Sequence, residues 1–233
     1  MNELALFAGA GGGLLASHLL GITPVCAVEH DEHCQRVLVQ RQNDGALPPF
    51  PIWDDVRTFD GLPWRGIVDL VSGGFPCQAF STAAAGRNNA ENLWPEMRRI
   101  VADVAPRLVF AENVAERAIE EAGRDLVRMG YQVRMLPLSA ADLGADHVRQ
   151  RYWLLAHADD QGELLRRFNA EVAGRARVPA SVWASEPGNP RVADGMAGRV
   201  DRYRASGNGQ VAAVAYAAFV ELAASFEGGR VNG

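Results

Sequence analysis

The sequence predicts an α/β protein with an open, mostly parallel sheet, and three observations support this fold class. Short apolar runs that are typical of buried strands alternate along the chain with stretches of helical length. Glycines or polar residues directly follow several of these runs, as expected where a strand ends in a turn. The length of 233 residues suits one domain with a small appendage, and the hydrophobic fraction of 48% is that of a folded protein.

The alternation of strands and helices along the chain defines the expected sheet. Strands are predicted at residues 4–7, 25–28, 67–71, 108–111, 131–138 and 152–156. Helices are predicted at residues 14–20, 32–42, 92–104, 114–129 and 210–226. Asp31 is a candidate N-cap for the second of these helices.

Residues 158–200 break this alternation. They contain six arginines and three prolines and show little periodicity, so we expect a loop-rich insertion. The insertion separates a predicted main domain, residues 1–157, from a C-terminal segment, residues 201–233, whose helix is expected to return to the sheet.

Composition argues against several classes of protein. Three cysteines, Cys26, Cys34 and Cys77, are too few and odd in number for a disulfide framework, so a reducing cytosol is expected. The sequence has no signal-peptide pattern and no uncharged apolar stretch of about 18 residues, so no membrane association is expected. The net charge of −5 argues weakly against nucleic acid, but residues 149–204 carry ten arginines against seven acidic residues.

Four residues with chemical potential each follow a predicted strand. Gly9, Glu29, Cys77 and Glu112 lie just past strand ends. Ligands of open α/β sheets bind at the carboxyl ends of the strands, so we expect these four residues to share one edge of the sheet.

The glycine-rich turn after the first strand, from Phe7 to Gly12, favours a nucleoside-type cofactor. Glycines let the backbone approach a ligand closely, and the helix start that follows offers free N–H groups. Glu29 stands about 20 residues further on, where an acid takes ribose hydroxyls in such sites. The simpler alternative is a plain tight turn.

Two further segments supply candidate reactive groups. Cys77 follows a proline at a strand end, where a thiolate could act as a nucleophile, and a buried structural cysteine is the alternative. Glu112 follows an apolar strand, where a low dielectric raises the pKa of a carboxyl group and favours proton donation. The alternative is an N-cap for the next helix, a role that Asn113 could fill by itself.

Residues 144–153 bring basic side chains together. Side chains alternate in an extended chain, so His147, Arg149 and Arg151 are predicted to point to one face. Two arginines on one face suit a phosphate, a carboxylate or a carbonyl oxygen, and a solvated edge strand with ion pairs is the alternative. No spaced set of Cys and His residues accompanies His147, so no metal site is expected.

In this order, the motifs resemble those of the DNA (cytosine-5)-methyltransferases, which use S-adenosylmethionine. The matching segments are Phe7-x-Gly9-x-Gly11-Gly12, Pro76-Cys77-Gln78, Glu112-Asn113-Val114, His147-x-Arg149-x-Arg151 and Gly207-Asn208-Gly209-Gln210-Val211. His147 is a departure, because the family has Gln at that position. The resemblance covers residues 1–157 and 196–226 and implies a Rossmann-like S-adenosylmethionine-dependent methyltransferase fold with a mixed, mostly parallel sheet and helices on both faces.

The resemblance implies the roles of the catalytic residues. Cys77 would add to C6 of a cytosine flipped out of double-stranded DNA, and Glu112 would hydrogen-bond or protonate N3. Arg151 would hold O2 of the base, with support from Arg149. Residues 78–94 would close over the flipped base, and the substrate-binding residues expected there are Gln78, Ser81 and Arg87.

The resemblance also implies the cofactor contacts. The expected cofactor-binding residues are Phe7, Gly9, Gly11, Gly12, Glu29, Asp55, Leu93 and Asn208. The first four would surround the methionine part of S-adenosylmethionine, and Glu29 would take the ribose hydroxyls. Asp55 would meet the adenine amino group, with Asp54 as a substitute and a solvated turn as the simpler alternative.

The region between the arginine motif and the last motif is short. Family members usually carry a long target-recognition region there, whereas this chain has only about 40 residues, so a short recognition sequence or loose specificity is expected. We expect a cytoplasmic monomer of prokaryotic or viral origin in a restriction-modification setting. Three alternatives stay open: a tRNA cytosine-5 methyltransferase, a non-catalytic DNA-binding relative, and a dinucleotide oxidoreductase, although the glycine spacing differs from the usual dinucleotide pattern.

Overall fold

A seven-stranded sheet with helices on both faces organises the chain. The computed structural model describes residues 1–76, 91–158, 163–172 and 209–226. The strands are β1 Asn2–Leu6, β2 Thr23–Val28, β3 Ile52–Trp53, β4 Leu70–Gly74, β5 Leu108–Asn113, β6 Gln132–Leu138 and β7 Arg151–His157. The helices are α1 Gly12–Leu19, α2 Glu32–Asn43, α3 Trp94–Val104, α4 Glu116–Arg128, α5 Glu163–Val172 and α6 Ala212–Ser225.

The strand order is β3-β2-β1-β4-β5-β7-β6, and this order confirms the predicted mixed, mostly parallel sheet. Strands β3, β2, β1, β4 and β5 pair in parallel, whereas β7 runs antiparallel to both of its neighbours, β5 and β6. β7 therefore lies inside the sheet, and its first residue reaches the edge at which the parallel strands end. The alternative that residues 144–153 form a solvated edge strand is wrong for the part that enters β7.

Two apolar layers hold the helices against the sheet. On one face, α3 and α4 pack through residues such as Met97, Ile100 and Ile119 against buried strand residues such as Val71 and Val109. On the other face, α1, α5 and α6 cover the sheet. There the Phe110 ring stacks on Trp153 with centroids 5.4 Å apart and meets Phe219 of α6 edge-on at 5.1 Å. The final described helix, α6, thus packs on this face of the sheet.

Several boundaries differ from the prediction for identifiable reasons. β4 begins at Leu70 because Ile67 is exposed in the preceding turn, and it continues through Gly73, where a Cβ atom would lie 2.8 Å from the Leu6 carbonyl oxygen. β5 continues through Glu112 and Asn113, so these residues end the strand rather than follow it. The two-residue strand β3 is too short to leave a pattern in the sequence.

The segment predicted to be a loop-rich insertion contains a helix. Within 158–200, the structure describes 163–172 as α5. Its buried residues Leu165, Phe168 and Val172 are spaced three and four apart and therefore lie on one face, which packs under α6. The predicted N-cap of α2 is confirmed, because Asp31 Oδ1 accepts a hydrogen bond from the Cys34 main-chain N at 3.0 Å. No described helix combines the length and apolar composition needed to span a membrane.

Glu3 is a buried carboxyl group in β1, far from the carboxyl edge of the sheet. Its side chain is 1% exposed, and Oε1 accepts a hydrogen bond from Ser72 Oγ at 2.5 Å. Burial raises the pKa of Glu3 from 4.5 to about 6, although hydrogen bonds from Ser72 and Ser17 oppose the shift. The folded protein therefore holds a proton here that the unfolded chain has already released near pH 5.

We expect the contribution of Glu3 to the free energy of unfolding to fall by about 2 kcal/mol as the pH rises from 4.5 to about 6. The sign follows because the unfolded chain ionises Glu3 first. Glu3→Gln keeps the acceptor for Ser72 and removes the titration, so its stability relative to the parent protein should rise across this range. Urea unfolding of both proteins between pH 4.5 and 7 measures the difference, and a pH-independent difference would contradict the assignment.

Candidate active site

The candidate site lies at one edge of the sheet. Strands β1, β2, β4 and β5 are parallel, so their carboxyl ends meet there. Antiparallel β7 starts at the same edge, and register pairs Glu112 of β5 with Trp153 and Asn113 with Tyr152. Arg151, one residue before Tyr152, is thereby brought beside the acid at the end of β5.

Glu112 is the central charged group of this edge. It is 6% exposed, and Arg151 Nε donates a hydrogen bond to Glu112 Oε1 at 2.7 Å. Burial raises the pKa of the Glu112 carboxyl above its ordinary value, although Arg151, Arg149 and a hydrogen bond from Gln210 act in the opposite direction. A raised pKa makes a carboxyl group a better candidate for proton donation than an ordinary exposed one.

The predicted alternation of side chains over residues 147–151 does not describe how Arg149 and Arg151 come to face Glu112. The chain is not a strand before Arg151, so residues 147–150 do not follow strand geometry. Arg149 nevertheless faces the site, because its Nη2 donates to the Gly209 carbonyl oxygen at 2.6 Å and its charge acts on Glu112. His147 is half-exposed beside Asp146, and Val148 is 81% exposed.

Asn113 connects the end of β5 to the end of β4. Its Nδ2 donates to the Phe75 carbonyl oxygen at 2.8 Å, and its Oδ1 accepts from the Ala115 main-chain N at 3.0 Å. The alternative that Asn113 is the N-cap of the next helix is wrong, because α4 begins at Glu116 with Ala115 as its N-cap. Asn113 instead fixes the backbone two residues before Cys77.

A cavity of about 290 Å³ opens beside these residues. Five of the predicted cofactor-binding residues line it: Phe7, Gly9, Glu29, Asp55 and Leu93. Pro76, the last described residue before Cys77, also lines the cavity, and the Leu93 main-chain N donates to the Pro76 carbonyl oxygen at 3.1 Å. The cavity approaches the size of small-molecule sites, which begin at about 300 Å³.

Glu29 presents a fixed carboxylate to this cavity. Its Oε2 accepts from the Gly9 main-chain N at 2.6 Å, and its Oε1 accepts from the Asp31 main-chain N at 2.7 Å. Burial raises the pKa of Glu29, and these hydrogen bonds partly offset the shift. Each carboxylate oxygen can accept a second hydrogen bond, so the group fits a pair of ribose hydroxyls.

Glycine is needed at positions 9 and 12 of the turn for different structural reasons. Gly9 has φ +54 and open space where a Cβ atom would point, so it leaves room on the cavity side. At Gly12 a Cβ atom would lie 1.9 Å from the Gln210 carbonyl oxygen, so this glycine permits close approach of the chain itself. Phe7, with φ +53, holds a backbone conformation that ordinary residues avoid, which is typical of ligand sites.

The two candidate adenine contacts are distinguished by their surroundings. Asp55 lines the cavity, and its Oδ1 accepts from the Arg57 main-chain N at 2.9 Å and from Arg57 Nη1 at 3.2 Å. Asp54 is engaged through its carbonyl oxygen, which lies 3.0 Å from His30 Nδ1. The geometry therefore favours Asp55 as the residue that faces a ligand.

Some predicted site residues lie outside the described part of the chain: Cys77, Gln78, Ser81, Arg87 and Asn208. Of the other two cysteines, Cys26 is buried in β2 and Cys34 in α2, and burial raises their thiol pKa values to about 11 and about 12. Neither is suited to act as a thiolate nucleophile. The described residues contain no group of three or more His, Cys, Asp or Glu side chains that could hold a metal ion.

Comparison with known proteins identifies the family. A family model for C-5 cytosine-specific DNA methylases matches residues 1–185. The chain belongs to this family. It is 37% identical over 130 residues to the type II methyltransferase M.Eco47II of Escherichia coli, covering 53% of this chain and 29% of that protein.

Other relatives also match this chain over only part of their own length. M.CviJI of Paramecium bursaria Chlorella virus IL3A is 30% identical, over 68% of this chain and 44% of its own length. M.HhaI of Haemophilus parahaemolyticus is 30% identical, over 69% and 50%. The chain thus spans half or less of these relatives.

Solved structures support the fold. The S. pombe Dnmt2 methyltransferase matches with a TM-score of 0.55 at 22% identity, over 67% of this chain and 49% of that one. The Entamoeba histolytica methyltransferase EhMeth matches with a TM-score of 0.54 at 15% identity, over 68% and 53%. These similarities establish the Rossmann-like methyltransferase fold of the matched region.

We expect Asn113→Ala to lower the free energy of unfolding by about 1–3 kcal/mol, because it leaves the buried Phe75 carbonyl oxygen without its donor. Asn43→Ala, at the exposed end of α2, is the matched control and should be near neutral. Chemical denaturation of both variants measures the difference. Equal effects at the two positions would show that the Asn113 bridge does not stabilise the edge of the sheet.

Proposed function

We propose that this chain transfers a methyl group from S-adenosylmethionine to C5 of a cytosine flipped out of double-stranded DNA. The observation that carries the proposal is the buried Glu112–Arg151 pair beside a cavity lined by Phe7 and Glu29. Membership of the C-5 cytosine-specific DNA methylase family supports the same reaction.

The cavity residues fit the proposed cofactor. The carboxylate of Glu29 would accept hydrogen bonds from the ribose hydroxyls, and Asp55 would accept one from the adenine amino group. Phe7 and Leu93 supply apolar walls, and Gly9 leaves space for close approach. Gly11, Gly12 and Asn208 complete the proposed set. The bound cofactor supplies an electrophilic methyl group on a positively charged sulfur.

The reacting base needs activation because C5 of cytosine is a weak nucleophile. In the proposed reaction the Cys77 thiolate forms a bond to C6, while Glu112 gives a proton or a hydrogen bond to N3 and draws electrons toward it. Arg151 would hold O2 of the base, since a guanidinium has more N–H donors than its contacts to Glu112 and the Gln150 carbonyl oxygen require. Arg149 adds positive charge beside Glu112.

The later steps restore the ring. C5, made electron-rich by the bond at C6, would accept the methyl group, and the donor would leave as a neutral thioether. Loss of the C5 proton to water would then expel the Cys77 thiolate from C6 and re-form the C5–C6 double bond, while any proton given to N3 would return to Glu112. The base must leave the duplex to reach these groups, at a cost of a few kcal/mol, and we propose Gln78, Ser81 and Arg87 as contacts to the opened duplex.

For the organisation of the chain, we propose that residues 1–157 form the catalytic unit and that the helix within 201–233 completes it. Residues 158–200 would supply target recognition, with arginines suited to phosphate contacts. A region of this size supports a short or loosely specified target. A cytoplasmic, monomeric protein that acts on DNA without a metal ion is consistent with this proposal.

We expect Cys77→Ser to abolish methyl transfer and to leave cofactor binding intact, because only the nucleophile is lost. The assay uses labelled cofactor with mixed-sequence duplex DNA, with tRNA as the competing substrate, and then maps the modified cytosines. The parent protein should also form a covalent adduct on DNA that contains 5-fluorocytosine. Cys26→Ala, which alters a buried thiol in β2, is the control and should still form the adduct. Adduct formation by Cys77→Ser would show that another residue is the nucleophile. Preferential labelling of tRNA would overturn DNA as the substrate.

We expect Glu29→Ala to weaken cofactor binding by about 10- to 100-fold, because charged hydrogen-bond acceptors contribute about 1.5–3 kcal/mol each. DNA affinity should change little. Glu32→Ala, three residues away on the exposed face of α2, is the matched control. Titration calorimetry with S-adenosylmethionine measures the effect, and an unchanged affinity in Glu29→Ala would remove Glu29 from the ribose site.

A further inference from the structure

Gln210 lies between the acid of the site and the turn of the cofactor cavity. A Cβ atom built on Gly74 would lie 2.6 Å from Glu112 Oε2 and 3.3 Å from Gln210 Nε2, so the carboxylate and the amide meet above this glycine. The amide donates a hydrogen bond to the Glu112 carboxylate. Arg151 already holds the other oxygen, Oε1.

The opposite side of Gln210 contacts the start of α1. A Cβ atom on Gly13 would lie 2.4 Å from Gln210 Oε1, and one on Gly12 would lie 1.9 Å from the Gln210 carbonyl oxygen. A larger residue at Gly12 would require the Gln210 backbone to move, and one at Gly13 would displace the Gln210 amide. Gln210 therefore bridges the glycine-rich turn and Glu112.

A third contact fixes the segment that carries Gln210. Arg149 Nη2 donates to the Gly209 carbonyl oxygen at 2.6 Å, one residue before Gln210. Among the described residues, the groups that act on Glu112 are thus Arg151 from β7, Arg149 from the segment before β7, and Gln210. The arginines supply charge, whereas the neutral amide adds a directional contact at the second oxygen.

We propose that Gln210 is a positioning residue for methyl transfer, whose amide holds the Glu112 carboxyl in the orientation that meets N3 of the cytosine. The inference rests on the proposed function. With Oε1 held by Arg151 and Oε2 next to the amide, the plane of the carboxyl group is fixed from both sides. Without the amide, the carboxyl can rotate about its Oε1 contact.

The test uses Gln210→Met, which keeps the length of the side chain and removes the donor. We expect the single-turnover methyl-transfer rate at saturating cofactor to fall about tenfold or more, because general acids act only from a defined position. Cofactor affinity should stay within about twofold, and the pH dependence of the rate should shift upward, since a hydrogen bond that favours the carboxylate is gone. Gln40→Met, on the exposed face of α2, is the matched control.

A second variant separates orientation from packing. Gln210→Glu keeps the shape and can donate to Glu112 only when it is protonated, so its rate should recover as the pH falls. A parent-like rate and pH profile in Gln210→Met would overturn the inference. A reduced methyl-transfer rate that returns to the parent value at saturating cofactor would also overturn it, because Gln210 would then affect only cofactor binding.

One readout does not depend on activity. Infrared titration of the Glu112 carboxyl, identified by its loss in Glu112→Gln, should show a higher midpoint in Gln210→Met than in the parent protein. An unchanged midpoint overturns the inference even if the chain proves inactive on every nucleic acid. Inactivity of the parent protein together with a raised midpoint would instead reject the proposed function and retain the contact.

Discussion

The site depends on burying one carboxylate beside two guanidinium groups. An isolated ionised carboxyl could not remain at 6% exposure, so Glu112 needs Arg151 at 2.7 Å to occupy the end of β5. The strand direction makes this pairing available. A parallel β7 would start at the opposite edge of the sheet, whereas antiparallel β7 brings its first residue to the edge at which β5 ends. The antiparallel direction of β7 is therefore what allows Glu112 to be buried beside Arg151.

The same carboxylate constrains the neighbouring strand. Gly74 stands opposite Glu112 in the β4–β5 register, and any side chain there would collide with Glu112 Oε2 at 2.6 Å. Asn113 then ties the end of β5 to Phe75, just beyond Gly74. These contacts explain why small residues, an amide and an acid occur together at adjacent strand ends. They also fix the backbone at Phe75, so one group of hydrogen bonds holds both the end of β5 that carries the proposed acid and the described segment that leads toward Cys77.

Local patterns in the sequence predicted most of the fold. Apolar runs located the long strands, Asp31 located a helix start, and the position of Glu29 and Glu112 near strand ends placed both at one edge. The failures involve contacts between distant parts of the chain. Position 12 must be glycine because the Gln210 carbonyl oxygen lies against it, and the hydrogen-bond partner of Asn113 lies 38 residues away at Phe75. Gln210 stood in the last motif and at the first position of a predicted helix, but neither pattern indicated that its side chain contacts Glu112.

The contact between Gln210 and Glu112 links completion of the site to folding of the final described helix, α6. α6 is apolar on most of its surface, and its small residues Ala215 and Ala218 let it pack closely in the layer it shares with α1, while Phe219 is buried against Phe110. Burial of such a face stabilises the helix by about 25 cal/mol for each Å² of apolar surface removed from water. That packing delivers Gly209 and Gln210 to Arg149 and Glu112 at the helix start. The acid acquires its full set of partners only when α6 is in place, so the apolar packing of the final helix and the electrostatics of the site are parts of one folded unit.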